Sequence, residues 1–212
     1  MGRTIAFLYG IVAYVIFLAS FLYAIGFVGN ILVPKGIDDG VESPIVASLI
    51  INLLLLSVFA VQHSVMARPG FKQVWTRIIP KSVERTTYVL LSSLALVLIF
   101  AFWRPIPGIV WDQSGTALGQ LLLVAHWVGW LIVLTSTFMI DHFDLFGLKQ
   151  VYSNLTRTNF RPSGFRKVLF YRLVRHPIMS GFLIAFWAAP TMTVGHLLFA
   201  VVTTAYIYIA VC

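Results

Sequence analysis

The sequence predicts an all-α fold: a polytopic membrane helix bundle of four spans followed by a C-terminal helical hairpin, giving five to six membrane segments. Three observations lead there. Of 212 residues, 59% are hydrophobic and only 10% charged, with a mean hydropathy of +0.92, so the chain lacks the polar groups a water-exposed domain needs. Its apolar residues gather into runs of about 20, the length that crosses a ~30 Å hydrocarbon core. The last run carries Pro190 and Gly195 near its middle, where one helix must become two.

The first run, Ile5–Leu32, follows Met1-Gly2-Arg3-Thr4 without an acidic or basic residue. It exceeds a signal-peptide core and shows no small-residue cleavage pattern, so it is expected to be a retained helix, spanning about Ile5–Val28. Ile45–Val65, Thr86–Trp103 and Leu121–Ile140 are the next three expected spans. Ile178–Val211 contains 34 residues without a formal charge, roughly 51 Å as a single helix and too long for one crossing. Broken around Thr191-Met192-Thr193-Val194, it gives a first arm, Ile178–Ala189, of only ~18 Å. No low-complexity segment or internal repeat interrupts residues 1–212, which read as one integral-membrane domain.

Charge fixes the expected orientation. The net charge of +8 is no sign of a nucleic-acid partner once it is assigned to loops. Thirteen of the 15 Lys and Arg precede the first span, lie between the second and third, or lie between the fourth and the hairpin. Lys35 and Arg104 alone fall on the opposite side, with Asp38, Asp39 and Glu42. By the positive-inside rule the N-terminus and both basic loops are expected in the cytoplasm, with the spans in contact with lipid. The lone Cys212 excludes an intramolecular disulfide and a cysteine metal cluster.

Chemistry is expected where the second basic loop meets the last apolar run, at Tyr171-Arg172-Leu173-Val174-Arg175-His176-Pro177-Ile178-Met179-Ser180-Gly181. Pro177 reads as a first helical residue, and the unpaired first-turn amides form an anion site. Arg175 and His176 stand ready to add charge or a hydrogen bond, while Gly181 admits either a ligand or another helix. The plain readings are a positive-inside anchor, a helix cap and a packing notch.

Gln62-His63-Ser64 closes the second span on the same side. Asn52, about three turns earlier, can share a face with it, and inter-helix hydrogen bonding is the plain reading of the group. Asp141-His142-Phe143-Asp144 follows the fourth span. The two acids either orient His142 for acid–base work or cap the helix end and pair with Lys149. His126, beside Trp127 and Trp130, reads as part of an interfacial aromatic belt, and His196 as a residue at the hairpin turn. Five His also permit a haem or metal site, but no ligand spacing such as H-x-x-E-H occurs, so no metal is expected.

Three of these segments together carry a family resemblance. Arg175-His176-Pro177-Ile178-Met179-Ser180-Gly181 resembles the R-H-P-x-x-x-G element of isoprenylcysteine carboxyl methyltransferase-like membrane enzymes. Gln62-His63-Ser64-Val65-Met66-Ala67 and His142-Phe143-Asp144-Leu145-Phe146-Gly147-Leu148 are similar to the nurim-like group that contains the bacterial methanethiol S-methyltransferases. The resemblance implies S-adenosylmethionine as cofactor and transfer of its methyl group to methanethiol, a small volatile thiol, giving dimethyl sulfide. It also implies a related activity on hydrogen sulfide, giving methanethiol.

On this reading Arg175, His176, Pro177 and Gly181 hold the cofactor, His63 and His142 are the catalytic candidates, and Gln62 contacts substrate. Relatives continue into a cytoplasmic tail with paired glutamates, which the chain to Cys212 is expected to lack. The alternatives are a prenyl-cysteine or lipid substrate, a non-catalytic nurim-like membrane protein and a haem protein.

Overall fold

The computed structural model describes residues 2–160 and 170–211. Arg161, Arg166 and Lys167, three of the charges assigned above to the basic side, lie outside the described residues, as does Cys212. The chain begins with α1 (Arg3–Gly29), which ends where Asn30 turns left-handed at φ 54° and its N–H reaches back to Gly26 and Phe27. α2 (Ile45–Ala67) follows a loop and stops at Arg68, whose extended backbone is the one a residue before proline prefers. Pro69 then opens the short α3 (Pro69–Trp75).

α4 (Lys81–Phe102) starts five residues before the apolar boundary at Thr86, because Lys81, Glu84 and Arg85 extend the helix beyond its apolar part. A strand, β1 (Ile109–Asp112), and α5 (Ala117–Ile140), capped by the Thr116 hydroxyl accepting from Gly119 N–H, come next. The basic end then carries α6 (His142–Leu145), α7 (Leu148–Thr156) and α8 (Phe170–Leu173). α9 (Pro177–Trp187), β2 (Thr191–Thr193) and α10 (Val194–Val211) complete the hairpin.

α1, α2, α4, α5 and α10 are each long and apolar enough to cross a bilayer. With lipid-facing residues such as Leu8, Val12 and Leu54 more than half exposed, the chain is an integral multi-pass membrane protein. Four spans plus a hairpin is the predicted architecture. The break at Pro190 falls as expected, but it is built as a ribbon: β1 and β2 pair antiparallel, with Asp112 opposite Thr191 and Ile109 opposite Thr193.

α9 is the unusual element. Eleven residues rise only about 16 Å, so its C-terminal carbonyls end inside the bundle, where water cannot solvate them. His126 and His196 supply the missing donors. His126, on α5, is 2% exposed and donates from Nδ1 to Ala185 O at 2.9 Å, while its Nε2 accepts from Trp130 Nε1–H at 3.1 Å. A carbonyl can only accept, so these two bonds specify the neutral Nδ1–H tautomer. His196, also 2% exposed, donates from Nε2 to Phe186 O at 2.9 Å.

The segment after α9 is satisfied in the same way, with Trp111 Nε1–H donating to Ala189 O and Gln113 N–H to Pro190 O. The interfacial-belt reading of His126 is therefore corrected. Its ring is sealed in the core because a helix ends beside it.

α9 is held against α5 by backbone contact. A Cβ on Gly129 would lie 2.6 Å from Ala185 N, and one on Gly181 would lie 2.7 Å from Gly129 O. Only glycine allows that approach, the small-residue packing typical of helices in lipid. The remaining core joins Phe27, Ile99, Trp103, Trp130, Phe186 and Phe199.

At the end opposite the basic loops, Asn52 clamps the turn after α4, donating to Arg104 O at 2.7 Å and accepting from Arg104 N–H at 2.9 Å. Lys35 Nζ donates to the terminal carbonyls of Ala101 and Trp103, a cation placed at a helix C-terminus. Asn52 therefore serves the opposite end of α2 from Gln62 and His63, as an inter-helix tie.

The glycine contact generates a stability prediction. Gly181→Ala should destabilise the detergent-solubilised protein by about 1–3 kcal/mol, because the backbones must part. Gly70→Ala is the matched control, since a Cβ there meets nothing within 4 Å. Denaturant midpoints should fall for the first and hold for the second.

Candidate active site

Three groups of polar side chains lie at the basic end, each built by a different set of elements. The first joins α2, α4 and α10. His63 is half-buried, with Nδ1 3.2 Å from Ser92 Oγ and the Tyr88 hydroxyl within 3.0 Å of both ring nitrogens. Phe59 stacks on the imidazole and the Arg85 guanidinium lies over the Tyr88 ring. Ser64 Oγ meets Tyr206 OH at 3.0 Å, tying α2 to α10. Gln62 donates to Met66 Sδ, and its Oε1 is buried without a partner. A buried acceptor left open is costly, so it is a place where a ligand donor would be stabilised.

The second group surrounds His142, which is 4% exposed. α5 ends at Asp141, whose backbone sits at φ 151° and ψ 92°, a strained conformation for a side-chain-bearing residue. Asp141 caps α6 by accepting from Asp144 N–H and ion-pairs with Lys149. Asp141 thus shapes the turn, which is the capping alternative, while the Asp144 carboxylate accepts from Gln150. The imidazole is oriented by hydroxyls instead.

Thr137 Oγ1 donates to Leu134 O, so it accepts from His142 Nδ1–H at 2.8 Å; His142 Nε2 is then left to accept from Tyr14 OH at 2.8 Å. The ring lies flat on Phe138, with centroids 4.2 Å apart, and against Phe146. Burial holds the His142 pKa below its ordinary value, while the Asp141 carboxylate opposes the shift.

The third group is the start of α9. Pro177 occupies the first helical turn and is buried, whereas Arg175 and His176 are exposed. His176 holds the N-cap position but makes no side-chain cap bond. Neither it nor Arg175 has a side-chain partner among the described residues, so both remain available. Gly181 faces α5, and of its two expected uses, helix approach is the one in place. The side chain of Arg172 lies outside the described ones.

His63 and His142 do not contact each other. They flank one apolar cluster, since Tyr88 and Met66 from the first group pack with Phe17 and Phe146 from the second. The Phe17 and Phe146 rings stack at 3.8 Å. Tyr14, Thr137, Tyr88, Ser92 and Tyr206 escaped the sequence reading. Their only signal is a hydroxyl within an apolar span, and nothing in the linear order gives the partner. Among the described residues no three His, Cys, Asp or Glu side chains gather as a metal cage would require.

Residues 51–210 match the family model described as NnrU protein. The chain belongs to the NnrU family. The matched stretch takes in all three groups except Tyr14. Among relatives of this NnrU-family chain, "Methanethiol S-methyltransferase 2" of Bradyrhizobium diazoefficiens is 56% identical over 99% of this chain and 80% of its own length. "Methanethiol S-methyltransferase" of Mycobacterium tuberculosis is 53% identical, covering 99% and 86%. Nurim of Rattus norvegicus is 33% identical over 80% of this chain and 67% of its own. No solved structure matches.

The buried neutral imidazole sets a pH dependence. With its folded pKa lowered, His142 contributes stability that is complete above its ordinary pKa of about 6.5 and is lost as pH falls toward the folded value. The thermal midpoint should decline from pH 7.5 to 5.5, and His142→Gln should flatten part of that decline. An unchanged slope in the variant would mean that His142 titrates alike in the folded and unfolded protein.

Proposed function

We propose that this NnrU-family protein is an S-adenosylmethionine-dependent methyltransferase that converts methanethiol to dimethyl sulfide, with hydrogen sulfide as a second acceptor. The observation that carries the reading is 53–56% identity, over 99% of the chain, to proteins named for methanethiol methylation. The residues at the basic end fit the cofactor. The exposed Arg175 and His176, beside the first-turn amides of α9, suit its carboxylate, and Gln62 Oε1 is an acceptor without a donor.

When bound, the cofactor supplies an electrophilic methyl group on a sulfonium sulfur. The protein's task is then to deprotonate, orient and dry the acceptor. The thiol S–H bond breaks, its proton passes to Tyr14 oxygen, and the Tyr14 proton passes to His142 Nε2 along the existing 2.8 Å hydrogen bond. Thr137 keeps the tautomer that leaves Nε2 basic. With the cofactor bound, its sulfonium methyl would be the group the thiolate accepts, and the opposite charges would cancel. Apolar walls such as Phe17, Phe138 and Phe146 favour that change over the separated charges. His63, with Tyr88 and Ser92, is the second candidate to orient the thiol. By the positive-inside rule we place the basic end in the cytoplasm of a bacterial inner membrane, where a water-soluble cofactor enters and a small apolar thiol arrives through lipid.

The test supplies purified, reconstituted protein with methyl-labelled S-adenosylmethionine and methanethiol and measures labelled dimethyl sulfide in the headspace. Labelled product is expected, and its absence under conditions where a methanethiol methyltransferase relative is active would overturn the reading. His142→Gln should lower kcat about a hundredfold, as loss of a general base does. Arg175→Gln should chiefly raise the KM for the cofactor, by about tenfold.

A further inference from the structure

A recess also lies at the basic end, next to the first two groups, with which it shares Arg85 and Asp144. It has a volume of about 370 Å³ and is bounded by Lys72 of α3, Lys81, Glu84 and Arg85 of α4, Asp144 of α6 and Gln150 of α7, with Ile140 and Leu145 as apolar floor. Among the described lining residues, three cations face two acids. Lys72 leans on Glu84 at 3.9 Å, Asp144 is held by Gln150, and Arg85 spends its Nε–H on Leu145 O. Lys81 is exposed and has no ion-pair partner among the described residues. It opens α4, whose N-cap Pro80 brings no side-chain cap, so the positive end of a 22-residue helix adds to the same field.

A different feature asks for a donor. Gln150 directs its Nε2–H groups to Asp144, leaving Oε1 buried and without a partner. A ligand that satisfies the recess therefore carries one negative charge for Lys81 and its neighbours and one hydroxyl for Gln150 Oε1.

Depth identifies the source. α4 rises about 33 Å, close to a full hydrocarbon core, so its first turn stands at the level of lipid headgroups. Beside it, Val74 and Ile78 are 57% and 73% exposed, which suits acyl chains rather than water.

We infer that this recess binds a singly charged phosphodiester bearing a free hydroxyl, the chemistry of a phosphatidylglycerol headgroup. The site is independent of methyl transfer. Lys81 and the α4 amides take the phosphate, Lys72 adds charge, and Gln150 accepts from the glycerol hydroxyl.

Calorimetric titration of the purified full chain in neutral detergent tests this with short-chain phosphatidylglycerol, phosphatidylethanol, phosphatidylcholine and soluble glycerophosphoglycerol. Phosphatidylglycerol should bind at one site about tenfold tighter than phosphatidylcholine, and Lys81→Gln should weaken it about fivefold while Lys81→Arg retains it. Gln150→Leu should bring phosphatidylglycerol down to the affinity of phosphatidylethanol, which has the charge but no hydroxyl. Tight binding of glycerophosphoglycerol would support the site with a soluble diester as its ligand, whereas weak binding supports the membrane lipid. Equal affinity for phosphatidylglycerol and phosphatidylcholine, or no effect of Lys81→Gln, would overturn the inference.

Discussion

A helix that stops inside a membrane leaves carbonyls that must be hydrogen-bonded by the protein itself. α9 does this after eleven residues, and two buried imidazoles from flanking helices close it, His126 at Ala185 and His196 at Phe186. Those two bonds require α5 and α10 to lie on either side of the α9 terminus. The β1–β2 ribbon requires the loop after α4 to reach the same place. Much of the half of the bundle away from the basic loops is thus arranged around one truncated helix. A full-length helix here would need none of these donors, because its end would be solvated.

The same constraint acts on the basic end. With its C-terminus fixed in depth and its backbone against Gly129, α9 can neither slide nor roll without breaking close contacts. Arg175 and His176 are consequently presented from a rigid support. The rigid α5 also ends in the strained Asp141 turn, which folds His142 back under Tyr14 of α1. One helix pair therefore positions two of the three polar groups. The third, around His63, is joined to them through the Phe17–Phe146 stack and Tyr88.

Much of this was legible in the residue order. Apolar runs marked the spans, Pro190 marked the hairpin, and the short arm before it followed from counting residues. The chemical boundary at Arg175-His176-Pro177 stood out because charge gives way abruptly to apolar residues. What stayed hidden depends on contacts between distant residues. His126 beside two Trp looks the same whether it faces lipid headgroups or a bare carbonyl 59 residues away. Tyr14 is one hydroxyl among many in apolar spans, and only the packing of α1 against the end of α5 gives it His142. Asp141 and Asp144 suggested a charged partner for His142, whereas Asp141 caps a sharp turn and pairs with Lys149, and Asp144 accepts from Gln150. The β ribbon has no periodicity to read, since β1 and β2 hold only four and three residues.

These relations reduce to one contact that can be observed without altering the protein. Solid-state NMR of the reconstituted chain, labelled with ¹⁵N in the histidine rings and ¹³C at the alanine carbonyls, reads the dipolar coupling between His126 Nδ1 and Ala185 C=O. The structure requires a strong coupling from a protonated Nδ1, matching the 2.9 Å donor–acceptor distance. Absence of that coupling, or a His126 ring protonated at Nε2 alone, would contradict the closed half-span helix on which this account rests.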